Sequence, residues 1–184
     1  MSPILGIYAS SMRSGNSYES IATVTVGSGG ASSITFSSIP STYQHLQIRG
    51  IVRSNGGAAN NPMYMTLNSD TSANYSWHGL FGDGASASAA ASINQSRIDI
   101  DRIAEASAGS NIFGSFVTDI LDYANTNKFK TTRNLGGIDQ NSSGFIFFES
   151  GLWRNTNAVS TISFAPPTGS FVQYSSFALY GIKG

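Results

Sequence analysis

The segment Phe177-Ala-Leu-Tyr-Gly-Ile-Lys-Gly184 decides the fold class of this chain. Side chains of an extended strand alternate between two faces, so Phe177 and Leu179 share one face and Tyr180 and Ile182 share the other. An apolar strand of this kind is expected to be buried in the core of its own domain. The segment therefore predicts a closed all-β domain in which the terminal strand belongs to the core.

Strand-like patterns recur through most of the remaining sequence. Apolar residues alternate with polar ones most clearly over 45–53, where Leu46, Ile48 and Val52 share one face. The predicted strands before the terminal one cover residues 21–26, 33–36, 45–53, 63–67, 75–81, 98–100, 112–123, 128–135, 145–153 and 159–164. Residues 82–91 are rich in Ala and Ser without an apolar stripe, and we interpret them as a loop, with a short helix as the alternative.

This pattern predicts about ten or eleven strands, with turn residues between them and no amphipathic helix. Such spacing is typical of an antiparallel two-sheet β-sandwich, and a jelly-roll-like arrangement is the closest match. We expect residues 18–184 to form this single domain, because a chain of this length builds one core.

The composition narrows the classes of partner. The 184 residues contain 10 basic and 10 acidic side chains, so the formal net charge is zero, and charged residues make up only 11%. The usual share is about 25%. Nucleic acids and anionic membranes are bound through basic clusters, so neither is an expected partner. The chain has no cysteine, which leaves the redox compartment open.

The first 17 residues are predicted to form an arm. Its apolar side chains are Ile4, Leu5, Ile7 and Tyr8, followed by a Ser-rich stretch. One interpretation is a disordered terminus; the other is an extended arm that contacts a neighbouring subunit, since such residues are rarely left in water. No basic signal-peptide region and no run of about 18 apolar residues is present, which predicts synthesis in a cytoplasm without general export.

The sequence contains no recognisable catalytic motif, and we expect no enzymatic activity and no cofactor. His45 and His78 each stand without a second ligand at metal-binding spacing. Serines are numerous, but none lies in a Gly-x-Ser-x-Gly elbow, and Gly27-Ser-Gly-Gly30 is a turn between strands.

Two acidic pairs have the spacing to be considered as Ca²⁺ ligands or as glycosidase carboxylates. They are Asp99 with Asp101, and Asp119 with Asp122. Asp99 and Asp101 alternate with isoleucines and lie near Arg97, which a solvated edge strand also explains. The solvated strand is the favoured interpretation, with Ca²⁺ binding kept as the alternative for Asp99 and Asp101.

Trp77 and Trp153 have two interpretations. Aromatic side chains in strands most often pack in a core. The alternative is that they stack on the sugar rings of a glycan, as aromatic residues do in β-sandwich lectins.

Several segments together resemble a family of tailed-phage virion proteins. The resemblance covers most of the chain beyond the arm. The segments are Phe36-Ser-Ser-Ile-Pro-Ser-Thr-Tyr-Gln-His-Leu-Gln-Ile-Arg49, Asn68-Ser-Asp-Thr-Ser-Ala-Asn-Tyr-Ser76, Asp122-Tyr-Ala-Asn-Thr-Asn-Lys-Phe-Lys-Thr131, Ser150-Gly-Leu-Trp-Arg-Asn-Thr-Asn-Ala-Val-Ser160 and Ala178-Leu-Tyr-Gly-Ile182.

The resemblance implies a β-sandwich displayed on a virus particle, and it supplies no catalytic residues. The first expectation is a trimeric capsid decoration (cement) protein that binds the major capsid protein and stabilises the head. The second is a tail or fibre component that binds a host surface glycan. A glycan depolymerase is the third and least favoured interpretation.

Overall fold

A computed structural model describes residues 17–184, leaving aside the side chain of Asp101. Among these residues the chain forms twelve strands and one short 3-10 helix at Ala106–Ala108. The strands are β1 (Tyr18–Thr25), β2 (Ile34–Phe36), β3 (His45–Val52), β4 (Asn60–Leu67), β5 (Tyr75–Gly82), β6 (Ala87–Gln95), β7 (Ile98–Ala104), β8 (Gly114–Leu121), β9 (Lys130–Asp139), β10 (Gly144–Trp153), β11 (Ile162–Ala165) and β12 (Ser176–Ile182).

The strands form two antiparallel sheets, which confirms the predicted all-β sandwich. The large sheet has eight strands in the order β1-β12-β3-β8-β9-β10-β5-β6, and the small sheet has four in the order β2-β11-β4-β7. Three pairings are nested in the sequence: β3 with β12, β4 with β11, and β5 with β10. A jelly roll has about eight strands in two equal sheets. The unequal sheets seen here depart from that count, so the jelly-roll connectivity stays a prediction.

A cluster of phenylalanines joins the two sheets at the centre of the core. The ring of Phe164 on the small sheet lies 5.7 Å from Phe116 and 5.4 Å from Phe177, both on the large sheet. Phe171, which precedes β12, packs 5.1 Å from Phe177. Pairs of rings at these separations add stabilisation beyond the apolar area that they bury.

The terminal strand lies inside the large sheet, as its sequence predicted. β12 pairs with β1 on one side and with β3 on the other. Phe177 and Leu179 are completely buried, and Tyr180 is partly exposed on the opposite face. Ile48 and Val52 of β3 are also completely buried, so the predicted faces of both strands are confirmed.

The prediction of a loop over 82–91 is wrong. The Asp83 carboxylate accepts hydrogen bonds from the backbone N–H groups of Ala85 and Ser86 and closes a tight turn, with Gly84 at a φ of 89°. The chain then returns as β6, paired along β5. β6 escapes the periodicity argument because residues 87–91 are exposed on both faces, so no apolar alternation marks it.

Candidate functional site: an apolar sheet face and an inter-sheet cleft

Apolar side chains line up across the outer face of the large sheet, the face turned away from the small sheet. Cross-strand partners place Val117 of β8 beside Leu135 of β9, Leu135 beside Phe148 of β10, and Phe148 beside Leu80 of β5. Ala89 of β6 continues the row after Leu80. Side chains directly opposite one another on neighbouring strands are in contact range, so the row forms one continuous apolar surface.

We call the large exposed members of this surface the outer apolar face. Their exposed fractions are 57% for Leu80, 51% for Leu135, 50% for Phe148 and 61% for Ile146, which lies two residues before Phe148 on the same face of β10. Contiguous exposed apolar residues of this kind typically mark an interaction site on a soluble protein. A shallow depression lies beside Leu80 and Phe148 and is lined on one side by β6, so the surface is not flat there.

Polar side chains beside the outer apolar face are bonded to one another. Gln47 Nε2 donates to Asp119 Oδ1 at 2.8 Å, and Arg133 Nη2 donates to Asp119 Oδ2 at 2.8 Å. Arg49 Nε donates to Gln47 Oε1 at 2.7 Å, and its guanidinium lies 5.3 Å from the centre of the Tyr180 ring. Paired charges cost less to cover than isolated ones, so this network suits the rim of a protein interface.

Trp153 does not lie where the alternative interpretation, a glycan contact, requires it to be. Trp153 is completely buried, and its ring stacks on Tyr75 at 6.3 Å. Its Nε1 donates to Asp70 Oδ2 at 2.8 Å, so its polar atom is already bonded inside the protein. The core interpretation of this residue is the one that its position supports.

Trp77 occupies a different environment, a cleft between the two sheets. It is half-buried on β5, facing the small sheet, and its ring lies edge-on to Phe81 at 6.4 Å. The cleft measures about 340 Å³. Its lining consists of Pro62, Trp77, Phe81, Ser88, Ala90, Asp99, Arg102, Phe145 and Glu149.

The acidic side chains that the structure describes are bonded to separate partners. Asp99 is bonded to Arg97 Nε at 3.0 Å, as the solvated-strand interpretation expects, while the side chain of Asp101 lies outside the described part of the chain. Asp119 is bonded to Gln47 and Arg133 on the outer face. Within the described residues, no group of three or more His, Cys, Asp or Glu side chains could hold a metal ion.

The two histidines lie in separate places. His45 Nδ1 accepts a hydrogen bond from the backbone N–H of Asp122 at 2.9 Å, and the Asp122 carboxylate also pairs with Lys128. His78 is exposed on the outer face, where Ser150 is its partner across β10. Neither arrangement combines a base with a nucleophile and an orienting group, as covalent catalysis requires.

Sequence reasoning missed three buried charged residues: Glu105, Lys130 and Glu149. Glu105 accepts hydrogen bonds from Ser54, from the backbone N–H of Ala58 and from Asn61, and so holds the segment between β3 and β4. No local pattern reveals such residues, because their partners are distant in the sequence. One signal of the outer apolar face was available: residues 145–148 read Phe-Ile-Phe-Phe, apolar at successive positions and so on both faces of β10.

The four arm residues predicted as partner contacts, Ile4, Leu5, Ile7 and Tyr8, lie outside the described residues, and that role stays a prediction. Among residues 17–184, no helix is both long and apolar enough to cross a membrane. Comparison with known proteins finds no matching family model and no matching curated protein.

Proposed function

We propose that this chain is a non-enzymatic structural protein of a tailed-phage particle that binds the outer capsid surface and stabilises the head. One observation carries the proposal: the outer apolar face leaves four large side chains at least half exposed on one sheet. Covering such a surface removes apolar area from water, at about 25 cal/mol for each Å². The major capsid protein is the proposed partner.

The charge distribution supports docking on a protein surface. Net charge is zero, and Asp119 and Arg133 at the edge of the outer apolar face neutralise each other. An apolar centre with a bonded polar rim is the usual anatomy of a protein–protein interface. We further propose that the protein is a homo-oligomer, with a trimer expected, and that residues 1–17 add a second contact with the particle.

Binding of the purified protein to particles that lack it tests the docking face. Phe148→Glu places a charge in the middle of the outer apolar face, where docking would bury it without a partner, so we expect binding to weaken by at least about tenfold. Co-sedimentation with the particles measures the change. Phe129→Glu is the matched control, because Phe129 is equally exposed, at 50%, but lies in the loop between β8 and β9.

Unchanged binding of Phe148→Glu, or equal weakening of both variants, would contradict the proposed docking face. Counting copies in purified particles tests the decoration role itself, because a decoration protein repeats with the capsid lattice. A few copies per particle would rule that role out and would favour a tail or fibre component.

A further inference from the structure

The cleft beside Trp77 has the size and position of a ligand site. It opens beside β6, the edge strand of the large sheet, whose Ser88 and Ala90 are exposed at its mouth. Its volume of about 340 Å³ lies within the usual range for small-molecule sites. The cleft lies on the inner side of the large sheet and the outer apolar face on the other, so this inference does not depend on capsid docking.

Three aromatic rings form the apolar part of the cleft. Phe81 lies 6.4 Å from Trp77 in an edge-to-face arrangement and 5.8 Å from Phe145. These contacts fix the rings against each other, so the cleft is formed before a ligand arrives. The rigid surface suits a ligand with a flat apolar side.

Charged groups of both signs lie around these rings. Glu149 is 1% exposed, and its Oε1 accepts a hydrogen bond from Asn134 Nδ2 at 3.0 Å. The guanidinium of Arg102 lies 4.5 Å from the centre of the Phe145 ring, and Asp99 completes the polar lining. The lining holds the carboxylates of Asp99 and Glu149 and the guanidinium of Arg102, and Asp99 is also paired with Arg97, so these charges balance and the cleft favours a neutral ligand over an anion or a cation.

Buried polar atoms without a protein partner cluster behind the cleft. The indole Nε1 of Trp77 is one, and Thr118 Oγ1, Thr132 Oγ1 and Asn134 Oδ1 are the others among the described side chains near it. Cross-strand pairing sets Thr118 beside Asn134 and Asn134 beside Glu149. Buried polar groups are nearly always bonded in native proteins, so a cluster of unbonded ones points to a hydrogen-bonding ligand or solvent in this place.

We infer that the cleft binds one pyranose unit of a carbohydrate. A hydroxyl group donates and accepts at once, which matches a lining that combines the Asp99 carboxylate, an acceptor, with the guanidinium of Arg102, a donor. The C–H face of the sugar ring packs on the aromatic side chains. A neutral, flat, polyhydroxylated ligand satisfies the size, charge and hydrogen-bonding requirements of the cleft together.

The two tryptophans provide an internal comparison for the test. Each indole N–H gives its own resonance in a ¹⁵N–¹H spectrum of the labelled protein, and Trp77→Phe assigns them. Titration with the methyl glycosides of glucose, galactose, mannose and N-acetylglucosamine at millimolar concentration should move the Trp77 resonance along a saturable curve. Trp153 is completely buried and bonded to Asp70, so its resonance should stay in place.

Variants on β6 locate the site. Ala90→Trp fills the mouth of the cleft and should abolish the shift of the Trp77 resonance, whereas Ala89→Trp, on the opposite face of the same strand, should leave it unchanged. Asp99→Asn should weaken binding by about tenfold, since it replaces a charged acceptor. Phe148→Glu should leave sugar binding unaltered, which separates this test from that of capsid docking.

No shift with any of the four sugars would overturn the inference. Equal shifts of both indole resonances, or full binding by Ala90→Trp, would overturn it as well, because the ligand would then be binding outside the cleft.

Discussion

Asp70 is a partly buried loop residue that forms hydrogen bonds with two aromatic residues of the core, Trp153 and Tyr75. Its carboxylate accepts hydrogen bonds from Asn74 Nδ2 at 3.0 Å, from the indole of Trp153 at 2.8 Å and from the backbone N–H of Ser72 at 2.9 Å. These hydrogen bonds hold the pKa of Asp70 well below its usual range, and the one from Asn74 has the largest effect. Its backbone carbonyl accepts from the Tyr75 hydroxyl, and burial raises the pKa of Tyr75 to about 12.

The lowered pKa of Asp70 predicts acid sensitivity of the fold. A carboxylate whose folded pKa is lowered contributes stability above its unfolded pKa of about 3.9, and this is lost as the pH falls through the folded value. We expect Asp70→Asn to cost about 1–3 kcal/mol at neutral pH and less below about pH 4. Urea unfolding of both proteins across this pH range measures the difference between their free energies of unfolding. A difference that stays constant down to strongly acidic pH would contradict the prediction.

The loop between β8 and β9 depends on a buried ammonium group. Lys130 is completely buried at the start of β9, and its Nζ donates to the carbonyl oxygens of Asn125 at 2.6 Å, Lys128 at 3.0 Å and Thr156 at 3.0 Å. It thereby joins this loop to the segment that follows β10. Burial lowers the pKa of Lys130, with the Lys128 charge adding to the effect.

Replacing Lys130 with an apolar residue of similar length should destabilise the protein strongly. Lys130→Met leaves three carbonyl groups without their donor, and we expect a loss of about 3 kcal/mol in the free energy of unfolding. Lys128→Met is the matched control, because Lys128 is 54% exposed and its pair with Asp122 should contribute less than about 1 kcal/mol. Urea unfolding at neutral pH checks both values, and equal losses would count against the role assigned to Lys130.

At the level of the elements, the predictable strands were those with one buried face. β3 alternates between buried and exposed side chains in its second half, and its sequence shows that alternation directly, whereas β12 was predicted from its run of apolar residues. β6 shows neither pattern, because it is a small-residue edge strand whose position is set by the turn at Asp83 and Gly84 and by pairing with β5. Edge strands bury too little to impose a pattern on their sequence.

At the scale of the whole molecule, β10 separates the two roles of the large sheet within two adjacent residues. Phe147 is 1% exposed and faces the core, whereas Phe148 is 50% exposed on the outer apolar face. Phe147 therefore contributes to the stability of the core, whereas Phe148 is exposed where a partner could dock.

This difference gives a paired test of the fold. Phe147→Asp places an unpaired charge in the core at a cost of several kcal/mol, comparable with the whole stability of a domain, so the variant should not fold. Ile48→Asp should behave in the same way, since Ile48 is completely buried. Phe148→Asp should remain folded. Circular dichroism and thermal unfolding distinguish the three, and a folded Phe147→Asp would contradict the assigned faces.

The sequence by itself determined the all-β class, most strands and the burial of Phe177 and Leu179, because the apolar pattern of a strand is a property of its local sequence. Tertiary structure alone decided which aromatic side chains are accessible. Trp153 lies in the core and Trp77 lines the cleft, although both are in strand-like sequence. It also decided that Phe148, Leu135 and Leu80 form one surface. The physical reason is that these properties depend on the register between strands far apart in the chain, which no single segment encodes.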